Sequence, residues 1–405
     1  MNRSLVYAFI LGFVGFVTSF GAHVVAVNLP FYAEKVGVGL AMIGVLIAAY
    51  DFAEIIAKPV FGGLADKKGM KRAMLAGILL FTVASLLYPF IPPKLLILVR
   101  FLQGLGAAAL SAVSLAMVGN FYSQNKGKAF GIYNAIKGAG YVVSPIIGGA
   151  IVAKSNFSSI FYASAGIGVL AFLLSLFLPN DRKKVGSAAF EDDDDEFSLK
   201  ALVSVFRNKV LLPWFLIIVI NMFFVGILFG FLPVRIHSLG YDALHTGLLV
   251  SVTTISYLLI QPLAGWMADK FNPVLILRLG MLLSCLATAA IPFVEGALLV
   301  VVSIGAGIGI GTVWTNSDAL ISRLAHERDM GATMGVAGSF KELGDMVGPL
   351  LMGAISQALG LSYGFVICAV LGFIALLVTV FTTRKSSGIQ ISQSEKDMKT
   401  NELKR

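Results

Sequence analysis

A few ionisable side chains interrupt stretches of sequence that are otherwise almost wholly apolar, and any chemistry must reside there. Asp51, Glu54 and Lys58 follow an i, i+3, i+7 spacing, so on a helix they share one stripe. Two carboxyl groups a turn apart beside a cation can bind and release a proton. The alternative is a static ion pair between Glu54 and Lys58, with Asp51 reaching Arg100. Lys341, Glu342 and Asp345 form a second cluster, while His23, Arg100, Lys137 and Asp318 stand singly. An ionisable group at the centre of a membrane helix costs at least about 2.5–3.5 kcal/mol, so each is a functional candidate.

The elements that carry these groups follow from composition. The 405 residues are 57% hydrophobic and 13% charged, whereas soluble domains carry roughly 25% charged residues. The charges cluster between apolar runs of about 20 residues, the length that crosses a hydrocarbon core. Twelve spans are expected near 5–31, 40–63, 72–91, 95–119, 128–152, 158–178, 210–235, 244–267, 273–293, 296–320, 332–357 and 361–383. The fold class is an all-α polytopic membrane protein. A β-barrel would alternate in ten-residue segments, and this chain does not. The first apolar run exceeds the core of a signal peptide and reads as a retained helix.

Lys and Arg are concentrated in the loops on the side of the termini; the other side has only Lys35, Lys94, Lys154 and Arg235. The asymmetry places both termini in the cytoplasm of a plasma-membrane protein. It also accounts for the net charge of +9 without a nucleic-acid partner. The expected organisation is a six-helix bundle over 1–178, a cytoplasmic linker over 179–209, a second bundle over 210–383 and a cytoplasmic tail over 384–405. The linker's acidic run, 191–196, must stay solvated and reads as a disordered spacer. Cys285 and Cys368 lie in apolar runs and suggest neither disulfide nor metal site. The chain shows no nucleophile elbow, phosphate loop or metal-ligand cluster, so no enzyme, cofactor or metal is expected. Nothing demands more than a monomer.

The two halves repeat at an offset of 203 to 204 residues. "KPVFGGLADK" (58–67) matches "QPLAGWMADK" (261–270), and "FGIYNAIKGAGYVVSPIIGGAI" (130–151) matches "MGVAGSFKELGDMVGPLLMGAI" (334–355). Lys137 falls on Lys341, and Pro145 on Pro349. Two copies of one unit suit a transporter whose halves rock about a site held between them. Lys137 and Lys341 would face that site, with Lys341 neutralised by Asp345 at i+4. Tyr141 and Trp314 supply aromatic lining, and His23 could titrate or serve as a polar contact. In "FGGLADKKGMKR" (61–72), Gly62 and Gly63 allow close helix approach, Gly69 permits a tight reversal, and Asp66, Lys67 and Lys71 could clamp the cytoplasmic side, with Asp269 as the counterpart in the second half.

That stretch resembles the loop 2–3 signature of the major facilitator superfamily through Gly62, Leu64, Asp66, Lys67, Gly69 and Lys71. "LVRFLQGLGAA" (98–108) resembles the family's span 4 signature through Arg100, Gln103, Gly104 and Gly106. "GYVVSPIIGG" (140–149) resembles its span 5 antiporter signature through Gly140, Pro145, Gly148 and Gly149, with Ser144 replacing a glycine. The resemblance covers the whole chain. It implies two pseudo-symmetric six-helix bundles, with spans 3, 6, 9 and 12 facing lipid, and alternating access. It also implies Arg100 as counter-charge to Asp51 and Glu54 in proton coupling. Pro145 and Pro349, with their glycines, are expected to bend spans 5 and 11.

The leading expectation is a proton-coupled exporter of small amphipathic drugs or metabolites. An organic or phosphorylated anion held by Lys137 and Lys341 is the alternative, and a lipid flippase of the same fold the lesser one. The expected partners are a small-molecule substrate, protons and membrane lipid.

Overall fold

The computed structural model describes residues 3–121, 126–179, 211–324 and 330–380. The acidic run and the C-terminal tail lie outside the described residues. Twelve long helices follow one another. They are α1 (Arg3–Val36), α2 (Leu40–Lys68), α3 (Met70–Leu87), α4 (Leu96–Phe121), α5 (Lys126–Lys154) and α6 (Ser158–Leu176), then α7 (Leu212–Gly230), α8 (Ala243–Lys270), α9 (Pro273–Ala290), α10 (Gly296–Leu324), α11 (Met330–Leu359) and α12 (Leu361–Val380). Eleven are long and apolar enough to cross a membrane. The exception is α11, whose three adjacent charged positions, Lys341, Glu342 and Asp345, lower its hydropathy.

The seventh crossing differs from a single run ending at 235. It breaks at Phe231 and resumes as Leu232–Ser238. Pro233 has no amide hydrogen to continue the helical ladder, so the backbone resets there. Pro59, Pro145, Pro262 and Pro349, by contrast, lie inside helices that continue through them.

Helices α1–α6 form one bundle and α7–α12 the other, and small residues set their internal crossings. A Cβ on Gly104 of α4 would meet the Tyr50 carbonyl of α2, and one on Gly307 of α10 would meet the Thr253 carbonyl of α8. These positions are related by the repeat. The span 5 glycines divide their work: Gly140 and Gly148 press on α1, while Gly149 faces Ala243 of the other bundle.

Between the bundles run two long seams, α2 against α11 and α5 against α8. At the face opposite the termini both are shut. Gly44 lies against the Pro349 carbonyl and Gly353 against Leu40; Gly247 lies against the Pro145 carbonyl and Gly149 against Ala243. Toward the termini the seams part. Gly62 lies 18 residues after Gly44, about five turns on the same side of α2, and among the described residues has nothing within 4 Å of where a Cβ would sit. Gly131 bears the same relation to Gly149 on α5 and is equally open. Among the described residues, the two bundles are closed on each other at one face and splayed at the other.

Candidate functional site

Where the α2–α11 seam runs through mid-depth, the charged residues converge. Repetition at i, i+3 and i+7 carries Asp51, Glu54 and Lys58 down α2. The Lys58 ammonium lies 2.6 Å from Glu54 Oε2 and also donates to Glu342 Oε1 of α11. Asp345, one turn farther along α11, lies within electrostatic reach of Asp51, Glu54, Glu342 and Lys58. Four carboxyl groups and one ammonium therefore share the seam. Asp51 and Asp345 are partly buried and make no ion pair with any described residue.

Arg100 of α4 is only 2% exposed. Its Nε donates to the Leu46 carbonyl at 3.0 Å and its Nη1 to Gln103 Oε1 at 3.1 Å, and its guanidinium covers the Tyr50 ring at 4.6 Å. Gln103 is itself fixed by Tyr88 Oη and Ser85 Oγ. The guanidinium therefore clasps α2 through its backbone, and its charge reaches Asp51 through space. It bridges to no carboxylate among the described residues.

The two lysines related by the repeat have different fates. Lys341 turns from Asp345 to Asp318 of α10, at 2.7 Å, with its ammonium 5.0 Å from the Trp314 ring centre. An i+4 neighbour on the same helix loses to a carboxylate on the helix opposite. Lys137 is partly buried and makes no ion pair among the described residues. Its charge reaches His23 and Glu54.

His23 stands where α1, α5 and α7 meet. Its Nδ1 lies 2.8 Å from the Ser19 carbonyl, so that nitrogen carries the hydrogen. The ring packs on Tyr141 and Phe229, with centroids 4.5 and 4.1 Å away. Phe229 also walls a small cavity of about 20 Å³ between α7, α8 and α10, with Val225, Leu228, Thr253, Thr254, Tyr257 and Ile310. The threonine hydroxyls bond back to Leu249 and Val250 of their own helix, so the cavity presents apolar surface. Tyr257 then contacts Trp314 at 5.6 Å. A line of aromatic side chains thus leads from His23 past this small apolar cavity to the Lys341–Asp318 pair.

Among the described side chains, those expected to clamp the termini side make no contact that joins the bundles. Lys71 donates to the Leu176 and Leu178 carbonyls, at 2.7 and 2.5 Å, tying α3 to the end of α6. Asp269 pairs with Arg323 at 3.0 Å within the second bundle. Lys67 is exposed, Gly69 makes the positive-φ turn into α3, and Asp66 lies on the last turn of α2 with its side chain outside the described set. These intrabundle contacts accord with the open face. Gly140, Pro145, Gly148, Gly149 and Pro349 sit at helix crossings, described above.

A family model described as Major Facilitator Superfamily matches residues 11–245 and 214–403. The chain belongs to the major facilitator superfamily. Among curated relatives of this transporter, the Staphylococcus aureus (strain MSSA476) Quinolone resistance protein NorA is 26% identical over 362 residues, 88% of this chain and 90% of the relative. An uncharacterized MFS-type transporter of Methanocaldococcus jannaschii is 22% identical over 92% of this chain and 96% of its own. Among solved structures, a bacterial homologue of the human lysosomal transporter Spinster, in an inward-facing and unoccupied conformation, superposes with a TM-score of 0.79 at 14% identity, covering 95% of this chain and 98% of that one. The nucleoside transporter NupG gives 0.77 at 14% identity, covering 95% and 99%. At such identity the structures establish the fold alone. The superfamily member described here is a multi-pass membrane transporter whose halves are related by the repeat seen in its sequence.

Sequence spacing missed two pairings and one participant. Glu342 is the cross-bundle partner of Lys58, Asp318 takes Lys341, and Phe229 links His23 to the cavity. The first two are charges in apolar surroundings and were visible as candidates, though their partners were not. Phe229 is one apolar residue in an apolar helix and carries no signal of its own.

Proposed function

We propose that the protein is a proton-coupled exporter of small amphipathic molecules, residing in the plasma membrane with both termini cytoplasmic and its open face toward the cytoplasm. The carrying observation is the pair of carboxyl groups, Asp51 and Asp345, partly buried at the α2–α11 seam without an ion-pair partner among the described residues. A carboxyl group in that setting is a natural acceptor for a proton. The aromatic side chains packed around His23 suit the apolar part of an amphipathic substrate, and the likeness to a quinolone resistance protein supports export. In this reading, Arg100 and Glu54 set the electrostatics around Asp51, and His23, Tyr141 and Trp314 line the path.

Lys137, which makes no ion pair among the described residues, supports a second reading, in which the substrate is an organic or phosphorylated anion. Lys341 serves that reading less well, because Asp318 already neutralises it. A proton-flux assay in proteoliposomes under an imposed pH gradient separates the two. On the first reading, lipophilic cations trigger proton movement that disappears in Asp51→Asn and persists in Lys137→Ala. Movement triggered only by anions, and lost in Lys137→Ala, overturns it in favour of the second.

A further inference from the structure

The Lys58–Glu342 contact is, among the described residues, the ion pair that joins the two bundles. Its position along α2 is informative. Lys58 lies 14 residues beyond Gly44, where α2 presses on the α11 backbone, and four residues before Gly62, where that side of α2 faces open space. The lysine therefore stands at the margin between the closed and the splayed parts of the seam. On its own helix it holds Glu54, and across the seam it holds Glu342.

Two of the neighbouring cations are committed elsewhere. Arg100 of α4 is committed to the Leu46 carbonyl and Gln103. Lys341 of α11 is held by Asp318 of α10. Lys137 of α5 makes no ion pair among the described residues, although its charge reaches Glu54. Without Lys58, the carboxylates of Glu54 and Asp51 would face those of Glu342 and Asp345 with no ammonium between them. Like charges in a medium of low dielectric repel strongly.

We propose that Lys58 is a positioning residue for the rocking movement: one ammonium, shared by a carboxylate from each bundle, fixes the depth at which α2 and α11 part. The tie acts on the backbone geometry of the cycle and holds whichever ion or substrate drives it. Its failure and that of the proton-export reading are therefore distinguishable.

The test uses the full-length transporter in nanodiscs, with spin labels at Lys68 and Phe271, both exposed at the splayed face and one on each bundle. Double electron–electron resonance reports their separation. In Lys58→Gln the distances should lengthen and broaden, and turnover should fall about tenfold or more, as for a broken, partly buried pair. Lys58→Arg, and the exchanged pair Lys58→Glu with Glu342→Lys, should restore the distances. Wild-type distances in Lys58→Gln would overturn the proposal. Should that variant fail to accumulate folded, the exchanged pair decides: restored distances support the tie, and altered ones refute it.

Discussion

The two seams between the bundles are built alike and equipped differently. In each, a helix beginning at the sealed face presents a glycine to the carbonyl of a proline on the helix opposite: Gly44 to Pro349, and Gly247 to Pro145. In each, a later glycine of the opposing helix closes on the first turn, Gly353 on Leu40 and Gly149 on Ala243. At mid-depth the likeness ends. The positions of Asp51, Glu54 and Lys58 on α2 become Thr254, Tyr257 and Gln261 on α8. The α5–α8 seam is crossed instead by a hydroxyl, Ser251 Oγ donating to the Val142 carbonyl at 2.7 Å. The difference separates two jobs. On the function proposed above, backbone close packing, present twice, serves the rocking movement, and the charges, present once, serve its coupling.

If this division is right, the seals should fail alike. Gly44→Val and Gly247→Val each drive a side chain into a backbone carbonyl, which cannot rotate away. Overpacking of ordinary cores costs about 1–3 kcal/mol, and a clash with backbone lies at or above the top of that range. Both variants should lose most transport. Both should also expose an Ile47→Cys reporter, buried in the wild type, to an impermeant thiol reagent. Gly62→Ala and Gly131→Ala, which extend into open space, should leave the reporter protected. Strongly unequal effects of the two valines would break the equivalence of the seams.

The charges should fail on one side only. Asp51→Asn should lower proton-coupled transport about tenfold or more, a barrier change of at least about 1.4 kcal/mol. Thr254→Ala, at the position related to Asp51 by the repeat, should leave coupling near the wild-type level. Proton flux measured in parallel on the two variants decides whether coupling belongs to the α2–α11 seam.

Much of the mechanical half of this comparison was legible in the sequence. A repeat at an offset of 203 to 204 pairs Gly44 with Gly247 and Pro145 with Pro349, and the apolar runs marked all twelve helices. The site was legible only in part, for a geometric reason. Spacing says which side chains share one face of one helix, not which helix lies opposite. Glu54 and Lys58, a turn apart, do pair. Lys341 and Asp345 have the same spacing and do not, because Asp318 on α10 is nearer to hand. The Lys58–Glu342 contact spans 284 residues of sequence and could be found only once α2 and α11 were seen side by side.

The neutral seam offers a smaller effect. Ser251→Ala removes its cross-bundle hydrogen bond and should cost about 0.5–1.5 kcal/mol, read as a modest fall in the thermal midpoint of the purified protein. Transport by this variant should persist, since the backbone seal at Gly247 remains. A loss of coupling in Ser251→Ala would show that the neutral seam shares the task assigned to the charged one.

The smallest difference lies at the seam entrances. The helix α8 is capped by Asp242, whose Oδ1 accepts the His245 backbone N–H at 2.8 Å, whereas the equivalent cap of α2 is Gly39, which has no side chain to offer. The backbone hydrogen bond from His245, with that from its ring, holds the Asp242 carboxyl below the usual carboxylate range. A carboxyl group depressed by folding stabilises the fold at pH values above its unfolded pKa, and that contribution is lost as pH falls through the folded one. The thermal midpoint of wild type should therefore exceed that of Asp242→Ala near neutrality, and the gap should close below about pH 4. A gap that persists unchanged in acid would mean that the cap acts through something other than its charge. Gly39→Asp makes the converse case. Gly39 already has the extended backbone of a cap, at φ −76° and ψ 169°, and the atom its Cβ would crowd is the mobile end of Gln357. The substitution should raise the midpoint near neutrality and bring α2 the acid sensitivity expected of α8, making the two entrances alike.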